Sequence, residues 1–155
     1  MHDWSAWTPS LGWSLLLFAI TLTIHVAGVV LIAGAIEWAI ARLPKLDVTH
    51  LGTIAISIAL IVAVALWLAV LHGFECVIWA LVYLHVGALP TPADAVLYSV
   101  DSMTTRGASG LTMDAQWRMM GATEGTDGVL LFGISTAFLF YAMLRIWNKD
   151  AHPGS

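Results

Sequence analysis

Charge is scarce in this 155-residue chain: Asp, Glu, Lys and Arg together make up 10% of it, against about 25% in a soluble domain. That shortage excludes an ordinary soluble globule, which needs charge to cover its surface. Basic residues number only six and never cluster, so there is nothing from which to build a nucleic-acid surface. No segment repeats Arg or Lys at every third position, which excludes a voltage sensor. A single cysteine, Cys76, excludes an intrachain disulfide framework; in an apolar run it reads as inert filler. No enzymatic activity is expected.

What the chain has instead is apolar length. Apolar residues make up 59% of it and the mean hydropathy is +0.86. Three segments are long enough to cross a bilayer, which takes about 20 residues: Leu11 to Ala41, Leu51 to Val86 and Gly121 to Trp147. The first lacks a basic leader and a short apolar core, so it does not read as a cleaved signal peptide. Arg42 and Lys45 follow the first span, and Arg145 and Lys149 end the third. Cytoplasmic flanks collect Lys and Arg, so these groups belong inside, which puts the N-terminus outside and the C-terminus in the cytoplasm. Trp4, Trp7, Trp13 and Trp147 suit interfacial belts. The expectation is a multi-pass protein of the cell inner or plasma membrane, with the lipid bilayer as a partner and no nucleic acid.

Between the second and third spans lies a shorter pattern. Thr91 is a plausible N-cap, Pro92 suits a first helical turn, and Asp94 suits the positive end of a helix dipole. The helix expected from Pro92 to Thr104 is too short to span. Irregular backbone at membrane depth survives only where protein or a water cavity surrounds it. Residues 105–110 should therefore line a pore or pack at a subunit interface. One such loop cannot enclose a pore, and symmetric copies are the economical solution.

The segment reads Tyr98-Ser99-Val100-Asp101-Ser102-Met103-Thr104-Thr105-Arg106-Gly107-Ala108-Ser109-Gly110. It resembles the filter region of the two-helix, pore-loop potassium channels, whose pattern is Trp-Ser-Val-Glu-Thr-x-Thr-Thr-Val-Gly-Tyr-Gly-Asp. Downstream, Trp117–Ala122 and Leu130–Ala137 look similar to bacterial ion-channel-domain proteins. The resemblance covers about a third of the chain. It implies an all-α integral membrane homotetramer around a central pore, with three transmembrane helices plus a re-entrant pore helix and filter loop. Residues 1–46 would be an extra N-terminal span. Residues 47–150 would be the pore domain, with outer helix 51–86, pore helix 92–104, filter 104–110 and inner helix 121–147, and 151–155 would be a tail. The implied filter residues are Thr104, Thr105, Arg106, Gly107, Ala108, Ser109 and Gly110, with Thr105 at the innermost ion site. No cofactor is implied beyond permeant inorganic ions.

The departures from that pattern bear on selectivity. Backbone carbonyls replace the water shell of the ion in such filters. Ser109 stands where the second glycine would be, and an L-residue there is strained at positive φ. Ala108 replaces the tyrosine strut, Gly110 replaces the acidic residue at the outer mouth, and Arg106 replaces an apolar residue. Four Arg106 side chains facing the axis would repel potassium, since a unit charge about 5 Å away costs about 3 kcal/mol at an effective dielectric of 20. Rings of Arg select anions. Turned backward, Arg106 needs a carboxylate; Asp101 is the nearest candidate for bracing the filter, and Glu124 and Asp127 are two others. The brace is the preferred reading because it satisfies both charges.

The remaining polar residues carry weaker signals. Gly128 and Gly133 are either close-packing glycines or a gating hinge. Asp114 and Arg118 read as a solvated surface pair. Glu37 reads as snorkelling or pairing locally near Arg42, and His25 as bonding a carbonyl across helices. His72 and Glu75, at i and i+3, could form part of a metal site, but two ligands are too few and no metal is expected. The expected function is a potassium-channel-like membrane channel with altered selectivity. A non-conducting or anion-permeable protein that kept the pore fold is the alternative. A haem protein using His25 with His72 or His85 ranks below both.

Overall fold

A computed structural model describes residues 8–42, 50–107 and 110–151. The filter residues Ala108 and Ser109, the topology signal Lys45, the belt residues Trp4 and Trp7, and tail residues 152–155 lie outside that set. The described residues form four α-helices and no strand: α1 (Thr8–Arg42), α2 (His50–His85), α3 (Pro92–Met103) and α4 (Arg118–Ala151). A 3₁₀ turn over Ala115–Trp117 leads straight into α4, which is why that helix starts three residues ahead of the expected Gly121. Three helices are long and apolar enough to cross a membrane, over Pro9–Arg42, Gly52–His85 and Ala115–Trp147. They suggest a multi-pass membrane protein. Large apolar side chains such as Leu15, Leu31, Val70 and Phe140 are exposed, as lipid contact requires.

Contacts divide the chain into two compact units, one taking residues up to His25 with His72–Phe132, the other Val26–Leu71 with Gly133 onward. In the second unit, Ile36, Ile40, Val64, Leu68, Phe138, Ala142 and Ile146 form the core. The Trp67 indole donates to the Gly28 carbonyl at 3.1 Å. Glu37 does not pair with Arg42. Its carboxylate accepts two hydrogen bonds from Arg145, from Nε at 2.7 Å and a terminal nitrogen at 2.9 Å. Arg42 lies over the Trp38 ring, 3.6 Å from its centre. The bidentate fork on Glu37 comes from Arg145 on another helix, while the Arg42 guanidinium is taken up by the Trp38 ring.

The first unit holds α3. Its core is Leu17, Trp79, Tyr83, Leu89, Met103, Met120 and Leu131, among others. α2 ends in a Schellman turn: Ala88 N–H donates to the Tyr83 carbonyl at 2.9 Å and Gly87 N–H to the Leu84 carbonyl at 3.1 Å. Gly87 takes the left-handed conformation, φ +68°, that this cap requires. Four residues on, Thr91 caps α3, its hydroxyl accepting from Asp94 N–H at 3.1 Å, with Pro92 in the first turn. α3 buries Ala95, Ser99, Asp101 and Met103 and lies along a row of small residues on α4. Gly121 faces the Tyr98 ring, Gly125 the Ser102 carbonyl and Gly128 the Met103 backbone.

Gly128 is therefore a close-packing glycine, with backbone against backbone. A Cβ there would sit 2.9 Å from both the Met103 carbonyl carbon and its Cα. Gly133 meets nothing within 4 Å and is free of that constraint. The row predicts opposite outcomes for two alanine substitutions. Gly128→Ala should overpack the α3–α4 contact by about 1–3 kcal/mol and lower the thermal midpoint of detergent-solubilised protein. Gly133→Ala should leave it unchanged or raise it, as alanine favours helix. Intrinsic tryptophan fluorescence during a thermal ramp reads both.

Candidate functional site

The loop after α3 begins with the same turn that ends α2. Arg106 N–H donates to the Asp101 carbonyl at 2.9 Å, and Thr105 N–H to the Ser102 carbonyl at 2.9 Å. The residue in the left-handed position, glycine in the first case, is here Thr105, at φ +57°. A β-branched residue at positive φ is an outlier; the left-handed conformation costs an L-residue about 1–2 kcal/mol. Gly107 (φ +84°) and Gly110 (φ +81°) continue the irregular path. Thr104 is the C-cap, and its hydroxyl donates to the Val100 carbonyl at 2.6 Å. Thr104, Thr105, Arg106, Gly107 and Gly110 are all exposed in the single chain.

Arg106 donates from a terminal guanidinium nitrogen to Asp101 Oδ1 at 3.2 Å. The pair is lopsided: the Asp101 side chain is fully buried, while 71% of the Arg106 side chain is exposed. Asp101 also holds the loop through its backbone, because Gly107 N–H joins Arg106 N–H on its carbonyl at 3.3 Å.

Glu124 and Asp127, the other two candidate partners of Arg106, are committed elsewhere. Glu124 accepts from the Tyr83 hydroxyl at 2.6 Å and is hydrogen-bonded to Ser99, whose hydroxyl also reaches the Cys76 carbonyl at 2.8 Å. Asp127 Oδ2 accepts from Thr21 at 2.5 Å and from the Trp79 indole at 3.2 Å. Burial of a polar carboxyl group makes hydrogen-bond partners obligatory, and side chains of α1, α2 and α3 supply them. Tyr83, Trp79, Ser99 and Thr21 are the partners of these two acids, and the sequence reading did not identify them as such. Arg118 does not pair with Asp114; its Nε donates to the Met113 carbonyl at 3.1 Å. Burial holds the Tyr98 phenol above its ordinary pKa.

His25 finds a carboxylate on α2. Its Nδ1 lies 2.9 Å from Glu75 Oε1, and His72 Nδ1 lies 3.2 Å from Glu75 Oε2. The two imidazole centres are 5.0 Å apart and tilted by 40°, and Phe132 stacks on His72 at 4.1 Å. Rings that close leave no room for a macrocycle between them, so a haem bridged by His25 and His72 does not fit. His85 lies edge-on to Trp13.

Set against known protein families, curated proteins and solved structures, the chain matches none. The site therefore has to be argued from its own geometry.

The strained turn yields a direct measurement. Thr105→Gly removes the left-handed penalty and returns part of it as chain entropy, a net stabilisation of about 1 kcal/mol. The thermal midpoint should rise by about 2–4 °C. A lower midpoint would mean that the Thr105 hydroxyl, and not the turn, sets that conformation.

Proposed function

We propose that this chain is a potassium-channel-like, pore-loop membrane channel that works as a homotetramer, with residues 104–110 of each copy around a shared axis. The observation that carries the reading is α3 and its loop. Twelve residues at 1.5 Å each extend about 18 Å, short of the roughly 30 Å hydrocarbon core. The element stands between two helices long enough to span. Residues 104–107 and 110 after it are irregular and exposed, a combination that membrane depth tolerates only beside protein or a water-filled cavity. Val96, Leu97 and Val100 are also exposed on α3, on the side away from Ala95 and Ser99, and a neighbouring copy would cover them.

In this reading Asp101 neutralises Arg106 in every copy, so no uncompensated ring of positive charge forms. Carbonyls and threonine hydroxyls then face the permeating ion, and cations are the permeant class. Selectivity is altered from that of a narrow potassium filter because Arg106, Ala108, Ser109 and Gly110 replace its packing residues. The N-terminus lies outside and the C-terminus in the cytoplasm, as Arg42 and Arg145 favour the inner face.

Two measurements test the proposal. The detergent-solubilised particle should have the mass of four chains by light scattering. In planar bilayers under a KCl gradient, its reversal potential should have the sign of cation selectivity. Arg106→Leu, paired with Asp101→Asn to avoid stranding a buried carboxylate, should keep that sign. A switch from anion to cation preference in the double variant would put the guanidinium on the permeation path instead. A monomeric particle, or a tetramer that passes no ion, would refute conduction through this loop.

A further inference from the structure

We propose that His25, His72 and Glu75 form a binding site for a divalent transition-metal ion of the zinc class, which clips α1 to α2. The three residues come from two helices: His25 from α1, and His72 and Glu75 from one face of α2, where i and i+3 are neighbours. All three side chains are buried. One donor atom from each lies within 4.8 Å of the others. A tetrahedral ion with bonds of 2.0–2.1 Å sets its ligands about 3.3 Å apart. The two imidazole-to-carboxylate spacings are 2.9 Å and 3.2 Å, so the ligand atoms need only small rotations to surround an ion.

The donor chemistry selects the class of metal. Two imidazoles and a carboxylate suit zinc and its first-row neighbours. Calcium takes six to eight oxygens and magnesium an octahedron of them, and this pocket offers neither. Charge balance points the same way. Asp127 interacts electrostatically with both Glu75 and His25, and its Oδ1 is buried with no hydrogen-bond partner among the described residues. The Glu75 carboxylate supplies negative charge to a dication, and Asp127 adds a second acidic group in the same buried cluster. Phe132, stacked on His72, fixes the plane of one ligand ring in advance, which lowers the entropy lost on binding.

The proposal is independent of whether the loop conducts, and its test does not involve flux. Full-length protein in detergent is stripped with a chelator, loaded with zinc chloride, passed through a desalting column and analysed for metal. About one zinc per chain should remain. His25→Gln and Glu75→Gln, which keep size and hydrogen-bonding capacity, should each weaken zinc affinity tenfold or more, whereas His85→Gln, at an exposed histidine, should not. If either ligand variant fails to fold, cobalt added to the parent decides the matter. A low-symmetry four-coordinate site gives intense visible bands, and these would support the site. A weak hexaaqua-like spectrum would overturn it, as would zinc that washes off the parent or a loss in His85→Gln equal to that in His25→Gln.

Discussion

Buried carboxylates constrain this structure more than any other feature. Glu75, Asp101, Glu124 and Asp127 are all fully buried in the unit that contains α3. An uncompensated polar group in an apolar medium costs several kcal/mol, so each acid must be met. Lipid is as apolar as leucine, so burying leucine between membrane helices contributes little to association. Specificity has to come from close backbone approach and from polar pairs. The acids supply the pairs: Glu75 joins α2 to α1 through His25, Asp127 joins α4 to α1 and α2 through Thr21 and Trp79, and Glu124 joins α4 to α2 and α3 through Tyr83 and Ser99. The glycine row on α4 supplies the close approach. The short helix is thereby held from two directions, by glycines under its backbone and by a glutamate reaching Ser99.

The two Schellman turns show what the loop is asked to do. α2 ends with glycine in the left-handed position and α3 ends with threonine in it, under the same pair of hydrogen bonds. Gly87 makes the turn without strain, and Thr105 does not. Strain of this kind persists where the surroundings over-determine the backbone and where a side chain serves a purpose. Asp101 provides the over-determination, accepting two backbone N–H groups on its carbonyl and one guanidinium on its carboxylate. The strained residue keeps its hydroxyl exposed beside Thr104.

Length and hydropathy made the three long helices legible, and local chemistry marked the start of α3, since Thr91, Pro92 and Asp94 act within one turn. Pairing across the fold was not legible. Glu37 and Arg145 are 108 residues apart, as distant in sequence as most of the chain allows, and Arg42 was the local guess. Glu124 and Asp127 were offered beside Asp101 as further partners for Arg106 because opposite charge is the obvious match, whereas the partners used are a phenol, an indole and two hydroxyls. One signal was present and unread. Ser10, Ser14, Thr21 and His25 recur at helical spacing along α1, as do His72, Glu75, Trp79 and Tyr83 along α2. In helices this apolar, the buried face is marked by its polar residues, so a search for hydrophobic stripes finds nothing to separate one side from another.

The lopsided Asp101–Arg106 pair separates the shape of this turn from its charge. The path of the loop is fixed by backbone bonds to the Asp101 carbonyl, which no side-chain substitution at Arg106 removes. The charge of the loop is fixed separately, by the carboxylate beneath the guanidinium. Shape and charge are therefore separable in this sequence. An apolar residue at 106 would leave the turn intact and strand a buried anion, and an uncharged residue at 101 would leave the turn intact and release an exposed cation. With arginine at this position, the acid five residues earlier pairs its charge, and the backbone bonds to the same residue hold the turn.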